Sequence, residues 1–255
     1  MKASKITTIV TTSWDDGFPE DLRLADMLKK YNLPATFYCP QQSENGKEVL
    51  GAEDLRGLQH AGFEIGAHTL THPLLTEISR SQARTEIFRS KQRLQDTLGN
   101  EVRMFGYPRG RANGYAIRCV REAGYWGARG TELLSIEKTF PRFLMPTSLQ
   151  AIPHQPISYL RNLGRRRAWR SLYRYCDDLH RYSHWVALGK RLFDDALSSG
   201  GVWHLWGHSW EIANSDLWPD LERLLKYISG RAGVRYLNNS STIDEVTSSQ
   251  VSQVR

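Results

Sequence analysis

Short runs rich in β-branched and aromatic residues alternate with longer amphipathic runs along almost the whole chain. No other feature narrows the fold as much. Residues 6–13 read as a strand. Residues 20–31 place Leu22, Leu24, Met27 and Leu28 among charges and read as a helix. The pattern then repeats, with strands at 34–39, 63–67, 103–107, 125–129, 142–147, 202–206 and 234–237. Helices fall at 53–60, 79–98, 115–124 and 217–228, the second of these with Ser79 as N-cap and Gly99 just past its end. Residues 153–199 read as mostly helical, and the polar residues 248–255 as a disordered tail. Strands separated by helices call for a parallel α/β sheet, because parallel neighbours need long crossovers. No repeat or low-complexity linker divides residues 1–247, so one domain is expected. In a closed sheet of this kind the site lies at the C-terminal strand ends. Asp15 and Asp16 follow the first strand, His68 the third and His208 the late one.

The charge pattern excludes some functions. The chain of 255 residues carries a net charge of +7, but Arg161, Arg165, Arg166, Arg167, Arg170 and Arg174 fall within 14 residues that hold no acid. Without these six the balance is 7 − 6 = +1, so the basicity is one local patch and not the broad positive surface of a nucleic-acid binder. No run approaches the ~18 apolar residues of a membrane span. The N-terminal residues are too short and too polar in their apolar stretch for a signal peptide, so a cytoplasmic location is expected. Cys39, Cys119 and Cys176 are odd in number and widely spaced, which suggests neither a disulfide framework nor a CxxC metal site.

Four segments carry chemistry. In Trp14-Asp15-Asp16-Gly17 two adjacent carboxylates at a strand end can diverge, one toward a cation and one toward a water. An Asp-Gly turn that caps a helix would use the same residues. In His68-Thr69-Leu70-Thr71-His72 two histidines four apart can reach one cation at about 2.0–2.1 Å per bond, and a carboxylate would leave open positions for water and substrate. Surface or backbone-bonded histidines are the plainer alternative. Tyr107-Pro108-Arg109-Gly110 ends another strand and on its own reads as a Pro-Gly loop. In residues 203–211 period two puts Trp203 and Leu205 on one side and His204 and Trp206 on the other, with His208, Trp210 and Glu211 past the strand end. His204 also reads as a satisfied core histidine.

Taken together and in this order, the segments resemble the polysaccharide deacetylases of the NodB type, carbohydrate esterase family four. The resemblance runs from about residue 6 to residue 246. It implies a distorted (β/α) barrel that removes acetyl groups from N-acetylated sugars with one divalent cation, zinc first and cobalt or nickel as alternatives. Carried over, it makes Asp16, His68 and His72 the metal ligands, Asp15 the general base and His208 the general acid. The Arg109 backbone N–H becomes an oxyanion donor, and Tyr107, Trp206 and Trp210 become substrate contacts. The chemistry is coherent, since amide hydrolysis at neutral pH needs an activated water, a base beside it and an acid for the departing amine.

Two departures stand out. The family often places an arginine where this chain has Gly106, and that arginine pairs with the base. Arg142, starting a later predicted strand, is the candidate to reach Asp15 instead, with Arg109, Arg111 or Arg129 to take its place if it points to solvent; as a surface strand-end charge it would do nothing. The family's fourth-motif aspartate, which steadies the acid histidine, has no clear counterpart, and Glu211 stands nearest to His208 in sequence. Arg166, Arg170 and Arg174 recur every four residues and form one stripe on a helix. The stripe fits a solvated face, or contact with an anionic partner such as a diphosphate-linked sugar or a membrane surface. The leading expectation is thus a metal-dependent N-deacetylase of a saccharide, with a nucleotide- or lipid-linked sugar as one substrate class. A metal amidohydrolase on a small non-sugar amide and a non-catalytic glycan-binding domain are the alternatives.

Overall fold

The computed structural model describes residues 7–43, 46–166 and 184–253. The strands are β1 (Thr8–Asp15), β2 (Thr36–Cys39), β3 (Glu64–Ala67), β4 (Met104–Gly106), β5 (Gly127–Arg129), β6 (Leu149–Gln150), β7 (Gly201–Gly207) and β8 (Val234–Tyr236). The helices are α1 (Glu20–Lys30), α2 (Ala52–His60), α3 (Arg80–Leu98), α4 (Gly114–Glu122), α5 (Pro156–Arg166), α6 (Trp185–Ser199), α7 (Ser209–Asn214), α8 (Trp218–Ile228) and α9 (Asn239–Gln253). The α3 boundaries show the local logic. Ser79 Oγ accepts from Gln82 N–H in a capping box, and Gly99 takes the left-handed conformation at φ 67° that ends the helix.

The strands run parallel in the order β5-β4-β3-β2-β1-β7-β6, with β8 also paired to β1. The sheet curls, and an irregular segment closes the gap between its edges. Met145 N–H donates to Ala128 O at 2.8 Å and Ser148 N–H to His204 O at 2.8 Å. The predicted strand at 142–147 is therefore only this closure, with one isolated bridge between Arg129 and Met145; the regular strand begins at Leu149. The result is a single-domain distorted (β/α) barrel. Residues 248–253, expected to be disordered, continue α9 instead. Arg170 and Arg174 of the arginine stripe, together with Cys176, lie outside the described residues, and only the backbone of Arg166 is described, at the end of α5. No described helix is long and apolar enough to cross a membrane.

Period two sorts each strand between two environments. Val10 and Trp14 of β1, Phe105 of β4 and Trp203 and Leu205 of β7 are buried in the main apolar core. The alternate residues face into the barrel. There Thr11 Oγ1 donates to Asn239 Oδ1 (2.8 Å), and Ser13 Oγ and His204 Nε2 lie 2.8 Å apart. Asn239 also donates to the Tyr38 hydroxyl (2.9 Å), so the first residue of α9 plugs the barrel interior. Asp15 and Arg129 meet one layer further along, at the C-terminal end.

Candidate active site

The turn after β1 gives Asp16 a φ of 80° and Gly17 a φ of 61°. A Cβ on Gly17 would stand 3.2 Å from the Cys39 side chain, so glycine suits both the space and the backbone. In this turn Asp15 stays buried and Asp16 swings toward the loop after β3. There Thr69 and His72 also sit at positive φ, 69° and 58°. Such conformations are costly for side-chain-bearing residues, above all for β-branched threonine, and collect at functional sites.

The three donors converge. His72 Nε2 lies 3.4 Å and His68 Nε2 3.8 Å from Asp16 Oδ1, and the two Nε2 atoms are 3.2 Å apart. His68 donates its Nδ1 proton to Gly106 O at 2.8 Å, which leaves the Nε2 lone pair facing the cluster. Burial pulls the His68 pKa down to about 4, so the ring is neutral, as ligation requires. Asp16 Oδ1 is buried with no hydrogen-bond partner among the described residues, and one ligand atom from each of the three residues lies within 4.8 Å of the others. An orphaned carboxylate oxygen beside the neutral His68 ring and the His72 Nε2 fits a divalent cation, and two nitrogens with one oxygen suit zinc.

Asp15 is fixed by Arg129, not by Arg142. Arg129 is fully buried, and its Nη2 donates to Asp15 Oδ1. Burial alone would raise the Asp15 pKa; the charges of Arg129 and His208 and the Arg129 hydrogen bond outweigh it and hold the carboxyl below its usual range. Arg142 sits at the other end of β5, with its Nε donating to Trp126 O at 2.7 Å and its guanidinium 3.9 Å from the Trp126 ring. Position 106 cannot supply the arginine, because a Cβ there would meet His68 Nδ1 and Tyr38 Cγ at 2.9 Å. Gly106 pairs in register with Arg129, so the guanidinium arrives from the neighbouring strand at the same level.

His208 ends β7. Its Nδ1 donates to Glu211 Oε2 at 2.7 Å, which turns Nε2 toward Asp16 Oδ2 at 3.8 Å. Burial would lower its pKa, but the Glu211 bond and the charges of Asp16 and Asp15 lift it to about 9. Gln150 on β6 donates to the same Glu211 oxygen at 3.1 Å. Trp210 Nε1 donates to Asp16 Oδ2 at 2.9 Å. His204 is the satisfied core histidine, between Ser13 and Pro146 O.

A cleft of about 530 Å³ opens over these groups, lined among others by Asp15, Asp16, His72, Arg109, Trp206, His208 and Trp210. The buried Trp206 indole N–H has no partner among the described residues. Arg109 turns into the cleft through a left-handed backbone at φ 51°. Tyr107 does not reach the cleft. It shares the outward face of Phe105, is fully buried, and packs on Phe105 at 5.3 Å between centroids. Missed from sequence were Gln150 and the lining residues Phe18, Lys47, Ser158 and Asn162. Arg129 is one of the three arginines the sequence offers in place of Arg142, and its inward parity on β5 sets it apart from Arg109 and Arg111.

The comparisons with known proteins agree with this architecture. The polysaccharide deacetylase family profile matches residues 2–128. A Bacillus subtilis (strain 168) protein assigned to the polysaccharide deacetylases, YxkH, is 27% identical over 117 residues, 46% of this chain and 42% of that protein. The chain thus spans less than half the length of that relative. Among solved structures, a Mycobacterium smegmatis protein of the same assignment is 16% identical with a TM-score of 0.67, over 98% of this chain and 93% of that one. The chitin deacetylase of Colletotrichum lindemuthianum is 17% identical with a TM-score of 0.59, over 94% and 90%. At such identities the structural likeness speaks for the fold alone.

Proposed function

The chain belongs to the polysaccharide deacetylase family, and from that premise we propose that it hydrolyses the N-acetyl amide of a saccharide with the help of one divalent cation. The observation that carries this reading is the convergence of Asp16, His68 and His72 in a cleft flanked by an arginine-held carboxylate on one side and a carboxylate-held histidine on the other. Asp16, His68 and His72 would hold the cation, which when bound supplies Lewis acidity and lowers the pKa of water.

The remaining work falls to the protein's own groups. Asp15, kept ionised by Arg129, takes a proton from the attacking water. Arg129 also keeps that carboxylate from rotating into the ligand set. Trp210 occupies the second oxygen of Asp16 and fixes the plane of the ligand carboxylate. The Arg109 backbone N–H donates to the oxygen on which charge develops. His208, charged at neutral pH and oriented by Glu211, gives its Nε2 proton to the departing amine. Trp206 and Trp210 contact the sugar.

The test is acetate release, with and without chelator, from N-acetylated polymers, short oligosaccharides, nucleotide-linked sugars and lipid-linked sugars. Chelator-sensitive release from any saccharide supports the reading. Preference for the diphosphate-linked sugars would favour a role for Arg166, Arg170 and Arg174 in anion contact. Release from small non-sugar amides alone, or metal binding with no release at all, would overturn it.

A further inference from the structure

Helix α5 lies outside the strand-helix alternation that builds the barrel, in the connection between β6 and β7, yet it is bolted to the site. Asn162, 7% exposed, donates through Nδ2 to Thr131 O at 2.8 Å and accepts from Leu133 N–H at 3.1 Å. One side chain thereby clasps the loop after β5 from both polar ends, so the helix cannot slide along it. Ser158 stands four residues earlier on the same helical face and lines the cleft; its hydroxyl is bonded to no described residue. His154, just ahead of the helix, also lines the cleft and is held by Gln150 Oε1 at 2.8 Å.

The strand order sets what lies across from this wall. The sheet runs β5-β4-β3-β2-β1-β7-β6, so the closure that α5 covers, between β5 and β6, lies across the ring from β1 and β2. The loops after β1 and β7 contribute Phe18 and Trp210, packed edge to face with centroids 6.3 Å apart. A pyranose ring has an apolar C–H face and a polar edge of hydroxyls. The cleft thus offers aromatic rings at Phe18, Trp206 and Trp210 and polar side chains at His154 and Ser158, which match those two aspects of a sugar.

Resting on the function proposed above, we infer that α5 is the sugar-recognising wall of the cleft, with Ser158 as a specificity-determining residue that hydrogen-bonds a ring hydroxyl or the linkage of the bound saccharide. Asn162 anchors the wall, and Phe18 and Trp210 take the apolar face. A wall built to bond a hydroxyl also rejects ligands that lack one there, because its polar group would be left unpaired.

The experiment measures kcat and KM for acetate release from a β-1,4-linked N-acetylglucosamine tetramer, or whichever saccharide of the panel wild type turns over best. Metal-loaded wild type is compared with Ser158→Ala and Ser158→Trp, with metal content and thermal midpoint recorded for each. Ser158→Ala should raise KM about three- to tenfold, the worth of one neutral hydrogen bond, with kcat nearly unchanged. Ser158→Trp should abolish turnover of the saccharide while keeping its metal. If both variants match wild type in KM and kcat, the wall is wrong and the proposed function stands. If metal-loaded wild type releases no acetate from any saccharide, the proposed function fails and this inference with it.

Discussion

Gly106 and Arg129 face each other across β4 and β5, and one explains the other. His68 and Tyr38 fill the space beside Gly106 so closely that no side chain fits there, and the guanidinium for Asp15 comes from the next strand. Arg129→Lys keeps the charge but loses the planar fork. We expect metal content to stay normal and turnover to fall by about 10²-fold, the scale of a misplaced catalytic group; unchanged turnover would show that Asp15 needs no such partner. Asp15→Asn and His208→Ala should also keep the metal and lose about 10²–10⁴-fold in kcat, and a normal rate in either variant would remove that residue from the mechanism. At this scale the sequence was partly readable. Asp16, His68 and His72 gather at one rim with Asp15 and His208 beside them, and the roles given to them are those proposed above. Arg142 and Tyr107 lie apart from them, because neither a motif match nor a place beside a strand end says which face of the strand a side chain takes. Tyr107 shares the outward side of Phe105, and Arg142 leads into the N-terminal side of the closure.

Element by element, periodicity was a good guide wherever a strand or helix makes its own hydrogen bonds. The caps of α3, the extent of α1 and α8 and the two-sided burial of β7 all follow from local pattern. The segment at 142–147 has strand-like residues but pairs mainly through scattered backbone bonds, because closing a curled sheet leaves no straight edge to extend. The contact between β1 and β7 contains a testable device. Burial drives the His204 pKa down to about 3 while its two ring nitrogens bond Ser13 and Pro146 O. In the unfolded chain the ring titrates at its ordinary value near 6.5. Between these values the unfolded state binds a proton that the folded state refuses, so stability falls as pH drops from about 6.5 toward 3 and recovers as pH rises. The slope from this group is at most ~1.4 kcal/mol per pH unit. His204→Gln should lower stability at pH 7, yet lose less on going to pH 5 than wild type does. Denaturant melts at the two pH values measure this, and equal losses in both proteins would remove His204 as the source.

Across the whole molecule, stability and function meet at the Asp16, His68 and His72 cluster. Three side-chain-bearing residues, Asp16, Thr69 and His72, are held at positive φ within the two loops that present Asp16, His68 and His72, and Asp16 Oδ1 is buried with no hydrogen-bond partner among the described residues. Conformations of this kind cost of order 1–3 kcal/mol each, and the unpaired oxygen adds a desolvation cost. The barrel carries these costs because its strands fix the loop ends: β1 brings Asp16 and β3 brings His68 to the same rim. A cation that binds the folded ligand set and not the unfolded chain would offset the strain by mass action, about 2.7 kcal/mol at a hundredfold excess over its dissociation constant. Chelation should therefore lower the thermal midpoint, and added zinc should restore it. His72→Ala should show a midpoint insensitive to both, because two ligands on different loops no longer close the site. The zinc effect should also shrink at acid pH, where ligand protonation competes with the ion. A wild-type midpoint that responds to neither chelator nor zinc would mean that the three residues hold no ion with useful affinity. The strain in their loops would then need a different explanation.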